Sequence, residues 1–178
     1  MKIQIADLYF GPLIEQEDID KRTAEIAKQI CYDYSNCVPV LTGILNGSFL
    51  FIADLVKQID IPVEITFTKL ASYHGGTSSS RKIREDFDLN IDIKGRDIIL
   101  VEDIVDTGNT LHYLIDKLML RHPASIAVCT LLLKPKALEI TIPELKYTGF
   151  EIDNDFVVGY GLDYNELGRN LKGIYKRI

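Results

Sequence analysis

Residues Ile99–Leu111 read ILVEDIVDTGNTL, and the fold can be built outward from them. An apolar run leads into the adjacent carboxylates Glu102 and Asp103, and a third acid, Asp106, opens the polar turn Asp106-Thr107-Gly108-Asn109-Thr110. The apolar stretch of DIILVED (Asp97 to Asp103) is continuous rather than alternating, as in a strand buried on both faces. Beyond the turn, Leu111, Leu114, Ile115, Leu118 and Met119 recur at i, i+3, i+4, i+7 and i+8, the apolar stripe of a helix. Where a strand turns into a helix, unpaired amide N–H groups and a partial positive charge face the turn, and both favour phosphate. Gly108 admits close backbone approach, and Thr107 and Thr110 add hydroxyl donors. A lone DTG would merely cap the helix, with Asp106 or Asn109 as N-cap. Glu102 and Asp103 shift that balance, because acids at the end of a buried strand are costly unless they meet hydroxyls or a cation. The combination suggests a phosphorylated sugar: phosphate on the amides, ribose hydroxyls and Mg2+ on the acid pair, and Asp106 left for proton chemistry. Neither GxxxxGK[ST] nor GxGxxG is present, which argues against a Walker loop and a dinucleotide fold.

The flanking sequence extends the same pattern. Apolar positions Ile19, Ile26, Ala27, Ile30, Cys31 and Tyr34 predict an amphipathic helix between Ile14 and Tyr34. VPVLTGIL (Val38 to Leu45) reads as a buried strand ending at Asn46-Gly47. Ser48 is placed to cap a helix FLFIADLVKQI that ends near Ile59. Strands are expected at Pro62 to Leu70, at DLNIDI, at SIAVCTLLL (Ser125 to Leu133) and at FVVGYGL (Phe156 to Leu162), with a turn at Gly95. ASYHGGTSSSRKIRED (Ala71 to Asp86) has no helical or strand period and is long for a connection, as functional lids are. Strands alternating with helices predict an α/β fold: a parallel twisted sheet flanked by helices, with ligands at the carboxyl ends of the strands. That rule collects Asn46-Gly47, Glu102 to Thr110 and Lys134 on one edge. A small hood from the C-terminal segment after Lys134 and the N-terminal part of the chain is expected over it, and residues 1–178 as a single domain.

Composition removes several classes of function. The 178 residues are 47% hydrophobic and 26% charged, ordinary for a globular domain with a sizeable core. A net charge of -6 gives no general attraction for nucleic acid or an anionic membrane. The N-terminus lacks the sustained apolar core of a secretory signal, and no apolar run approaches the roughly 20 residues that span a bilayer. Cys31, Cys37 and Cys129 lack a CxxC or nearby His and read as thiols of a reducing compartment, pointing to the cytoplasm.

VEDIVDTGNTL resembles the signature of the type I phosphoribosyltransferases, which bind 5-phosphoribosyl-1-diphosphate: an apolar run, two acids, two apolar residues, then D-T-G-x-T. The chain as a whole resembles the hypoxanthine-guanine branch of that family through Ser72-Tyr73, Lys134 and GFEIDNDFVVGYGLDYNELGRNL (Gly149 to Leu171). The resemblance implies that Thr107, Gly108, Asn109 and Thr110 hold phosphate, and that Glu102 and Asp103 take ribose and Mg2+. Asp106 is then the general base or acid near purine N7. It further implies that Lys134 donates to the purine 6-oxo group, Phe156 stacks on the base and the Val157 backbone reads its edge. Asp163 would be a second metal-side acid within the purine segment, and Arg169 the cation near diphosphate. Ser72 and Tyr73 would begin a mobile loop that closes over the reacting centre. By contrast His74, His112 and His122 look incidental.

One position departs from the family pattern. Lys or Arg commonly precedes Gly47 in the loop that contacts diphosphate, whereas this chain has Asn46. A positive charge is therefore missing where a highly charged anion should rest, and Mg2+, Arg169 and main-chain N–H groups are expected to carry more of that contact. The resemblance implies a Mg2+-dependent enzyme converting hypoxanthine or guanine to the nucleotide, assembled as a homodimer or homotetramer. A xanthine-preferring relative and a nucleotide-sensing RNA-binding regulator are the alternatives. The regulator would need a basic face and would have no use for a purine-stacking Phe156.

Overall fold

Two sheets share the chain, and the larger one carries the edge anticipated from the sequence. The structure, a computed structural model, describes the backbone of residues 2–72, 83–87 and 89–178. The smaller sheet is formed by Ile3–Ile5 (β1), Leu8–Ile14 (β2), Val157–Val158 (β9) and Ile174–Arg177 (β10), in the order β1-β2-β10-β9. The larger contains Val40–Leu45 (β3), Glu64–Ser72 (β4), Ile83–Phe87 (β5), Asp97–Val105 (β6), Ser125–Leu133 (β7) and Leu145–Glu151 (β8). Its order is β5-β4-β3-β6-β7-β8, parallel throughout except for the antiparallel edge strand β5. Three helices are described: Gln16–Asp33 (α1), Phe49–Gln58 (α2) and Asn109–Met119 (α3).

Helix α3 shows why the pattern folds this way. Leu111, Leu114, Ile115 and Leu118 are buried and pack with Ile98 and Leu100 of β6, while Met119, assigned to the stripe from sequence, is 53% exposed. Each buried side chain contributes about 1.5–3 kcal/mol of hydrophobic stabilisation. Helices α1 and α2 supply Ile19, Ile26, Ile30, Phe51, Ile52 and Leu55 to a second cluster with Leu41, Ile99 and Val101. Residues of β6 thus enter both clusters, which accounts for its unbroken apolar run. Arg22 of α1 also donates to the carbonyls of Thr148 (2.7 Å) and Gly149 (3.0 Å), fastening the helix to β8.

Several sequence expectations are corrected. DLNIDI forms no strand over its described residues; Leu89 and Ile93 instead bury as irregular backbone against the α3 cluster. FVVGYGL contributes only Val157–Val158 as strand, and to the smaller sheet, because Gly159 (φ 101) and Gly161 (φ 100) turn the chain away. Ser48 does not cap α2 through its side chain: its hydroxyl donates to the Ile44 carbonyl at 2.6 Å. Part of Ala71 to Asp86 is strand β5; residues 73–82 lie outside the described residues. The hood, by contrast, has the expected N-terminal and C-terminal parts, since β10 pairs with β2 as well as β9. Strands β1, β2, β8 and β10 were not anticipated, and β8 shows that the chain after Lys134 also returns to the larger sheet. Cys31, Cys37 and Cys129 are free thiols.

Candidate active site

The order of the larger sheet creates a switch point between β3 and β6. From β3 the chain moves to β4 on one side; from β6 it moves to β7 and β8 on the other. Loops leaving neighbouring strands in opposite directions leave a crevice at their carboxyl ends. A cleft of about 500 Å³ lies there, lined by Asn46 and Gly47 after β3 and by Glu102 to Gly108 at the end of β6. Thr110, Asp163 and Arg169 complete the set of expected residues that face it.

Glu102 and Asp103 lie on the last part of β6, short of its final residue Val105, so strand pairing fixes their backbone. Burial, reinforced by the charge of Asp103, pushes the Glu102 carboxyl well above the usual carboxylate range. An acid pair of this kind is under-compensated and would be relieved by a cation or by hydroxyl donors. Asp103 accepts the Ile104 amide at 2.9 Å and packs against Gly47, where a Cβ would overlap its carboxylate. The Leu45–Asn46 peptide preceding this contact is cis. Among the described residues, no three His, Cys, Asp or Glu side chains are grouped to hold a metal by themselves. Asp163 faces the same cleft, but one of its oxygens pairs with Arg169 at 2.8 Å and the other accepts the Glu166 amide at 2.8 Å. Both of its oxygens are thus engaged, and among the described residues it is not grouped with Glu102 and Asp103. Mg2+ commonly binds through one or two carboxylates with waters and substrate phosphates, and Glu102 with Asp103 fits that donor set.

The turn after β6 ends at Gly108, which takes the left-handed conformation (φ 84) at the N-cap of α3. Neither Asp106 nor Asn109 caps the helix. The Thr107 carbonyl accepts the Glu139 amide at 3.0 Å, so the segment after β7 braces the turn from behind. Asn109 donates to Glu139 at 2.7 Å and to the Thr107 hydroxyl at 3.1 Å, which directs its side chain away from the cleft. What remains facing the cleft is the turn backbone, with Thr107 and Thr110, the donor set a phosphate requires.

Lys134, immediately after β7, is 8% exposed and reaches Asp106 at 3.2 Å; Asp106 is about half exposed. A cation and a proton acceptor are thus held side by side. Phe156 and Val157 do not line the cleft and sit on the hood. There Phe156 is 43% exposed and meets Tyr164 edge-on at 5.7 Å, leaving part of its ring open for stacking. Val157 is buried in β9. Tyr160 ties this hood to α2 through Asp54 at 2.6 Å, and burial together with that carboxylate pushes its hydroxyl pKa up. Ser72 ends β4, and Tyr73 and His74 lie outside the described residues. His112 is on the surface near Asp116 at 3.6 Å, and His122 lies in a turn (φ 55). Sequence reasoning overlooked Lys69 and Glu166, which also line the cleft. A lone Lys in a strand and a loop Glu carry no motif, although the alternation of β4 could have placed Lys69.

Sheet, switch point and phosphate-type turn together define an α/β protein that binds a phosphorylated ligand at its strand ends. The chain belongs to the phosphoribosyl transferase domain family, whose sequence profile matches residues 14–165. It is 46% identical to the hypoxanthine phosphoribosyltransferase of Haemophilus influenzae over 92% of this chain and 93% of that protein. It is 47% identical to the hypoxanthine-guanine phosphoribosyltransferase of Streptococcus pneumoniae, over 89% and 88% respectively. Among solved structures, a hypoxanthine phosphoribosyltransferase from Staphylococcus aureus superposes with a TM-score of 0.89 at 41% identity, covering 94% of this chain and 91% of that one.

Proposed function

We propose that this protein is a purine salvage transferase, moving the 5-phosphoribosyl group from 5-phosphoribosyl-1-diphosphate to hypoxanthine or guanine. The products are IMP or GMP and diphosphate. The observation that carries the reading is the Lys134–Asp106 pair (3.2 Å) beside the phosphate-type turn at the switch point. Purine O6 and N7 are neighbouring positions on one edge of the ring, O6 an acceptor and N7 a donor in the N7–H tautomer of the free base. Lys134 donates to O6, while Asp106 addresses N7. Adenine carries a 6-amino donor at the position Lys134 addresses, so it is disfavoured.

In the reaction the C1′–O bond to diphosphate breaks, and the leaving group departs with the electron pair. N9 of the base supplies the pair that forms the C1′–N9 bond, and the N7 proton passes to the Asp106 carboxylate. Positive charge grows on the ribose meanwhile, and the carboxylates at the β6 tip stabilise it. The 5′-phosphate rests on the turn Thr107 to Thr110, Phe156 stacks on the base and the Val157 backbone reads its edge. Glu102 and Asp103 would hold Mg2+, which when bound would neutralise charge on the diphosphate. Residues 1–178 act as one domain in the cytoplasm, without nucleic acid or membrane. Phe49 at the start of α2 and Ile65 and Phe67 on β4 expose apolar surface, which supports a homodimer or homotetramer.

The test is a steady-state assay with hypoxanthine, guanine, xanthine and adenine, each with and without Mg2+. Metal-dependent turnover of the first two is expected. Dominant turnover of xanthine would reassign the base, and none with any base would remove the proposal.

A further inference from the structure

The cleft holds a charge imbalance that the diphosphate must face. Glu102, Asp103, Asp106, Asp163 and Glu166 line it, against Lys69 and Arg169. The Arg169 charge is already engaged, with Asp163 at 2.8 Å and Glu166 at 3.1 Å, while another of its nitrogens donates to the Gly161 carbonyl at 2.8 Å. Among the described residues lining the cleft, Lys69 is the cation with no carboxylate partner. It is half-buried on β4, and in the parallel register its Cα is the partner of Leu45, the residue before Asn46. The β4–β5 register shifts between Lys69 and Leu70, a local irregularity of the kind that re-aims side chains beside active sites.

We propose that Lys69 supplies the side-chain cation for the diphosphate of 5-phosphoribosyl-1-diphosphate, in place of the charge absent at Asn46. The inference rests on the proposed transferase reading. It places the compensating charge one strand away from the usual loop position, within the same crevice.

Lys69→Met is expected to raise the KM for 5-phosphoribosyl-1-diphosphate by about 10- to 100-fold, the range for losing one charged donor to an anion. Inorganic diphosphate, used as a direct probe by calorimetry, should weaken by a similar factor. The KM for hypoxanthine and the melting temperature should stay near wild type, and Lys69→Arg should retain most of the affinity. Adding Asn46→Lys to Lys69→Met should recover diphosphate binding, which a merely structural role for Lys69 would not allow. An active Lys69→Met enzyme whose diphosphate affinity lies within twofold of wild type would overturn the assignment while leaving the transferase reading intact. Absence of transferase activity in the wild-type protein would instead remove the reading beneath it.

Discussion

Replacing Asp106 by Asn changes almost nothing in volume but removes the proton acceptor from the Lys134–Asp106 pair. The amide oxygen can still accept from Lys134 at the present 3.2 Å, so positioning survives. Proton transfer by a placed side chain is worth about 10²- to 10⁴-fold, or roughly 2.7–5.4 kcal/mol of barrier. Stability should respond far less. The Asp106 side chain is 52% exposed and its attraction to Lys134 is screened, so the pair contributes about 1 kcal/mol or less. For a domain of this size that is a shift of about 2–4 °C at most. Absorbance-monitored IMP formation at saturating substrates should therefore show kcat reduced by at least about 10²-fold, with nucleotide affinity by calorimetry and Tm by scanning calorimetry nearly unchanged. A folded variant with kcat within a few-fold of wild type would refute the proton-transfer role.

Other expectations concern the rest of the cleft. Because Glu102 holds its proton above the ordinary value of 4.5, the folded state binds that proton more tightly than the unfolded one, and apo stability should fall as pH rises through that window. Glu102→Gln should flatten the fall and raise the metal-free Tm near neutral pH while depressing Mg2+-dependent turnover; an unchanged slope in calorimetry would contradict this. Gly161→Ala places a Cβ on the Gly47 carbonyl at φ 100, and should cost about 2–4 kcal/mol in denaturant unfolding. Phe156→Ala removes the stacking ring, worth about 1–3 kcal/mol per base, and should raise the KM for hypoxanthine about 5- to 150-fold. The KM for 5-phosphoribosyl-1-diphosphate should scarcely move; a parallel rise in both would dissociate Phe156 from the base.

The sequence was most legible where one physical requirement dominated. Strand β7 (Ser125–Leu133) has the predicted bounds because burial on both faces demands an unbroken apolar run. The turn after β6 was readable because the acids, the glycine and the helix stripe must occur in that order. Strand β2 was not, since Gly11 and Pro12 interrupt LYFGPLI and ordinarily argue against a strand. Strand β8, LKYTGFE, owes its place to pairing with β7 and to Arg22, a partner distant in sequence. DLNIDI alternates well enough for a strand, yet tertiary packing of Leu89 and Ile93 prevailed over local preference. The partners of Asn109 and Asp163 were likewise hidden: Glu139 and Arg169 engage them through contacts the spacing does not reveal.

Because β10 is inserted between β2 and β9, residues far apart in the chain must meet before Phe156 has a platform. The acid-and-turn half of the crevice, by contrast, grows from neighbouring strand–helix units. During synthesis the turn after β6 and the Lys134–Asp106 pair take shape from neighbouring units, while the setting of Phe156 waits for β10. Weakening the pairing of β10 with β2 or β9 would accordingly disturb the setting of Phe156 before it disturbed the turn after β6.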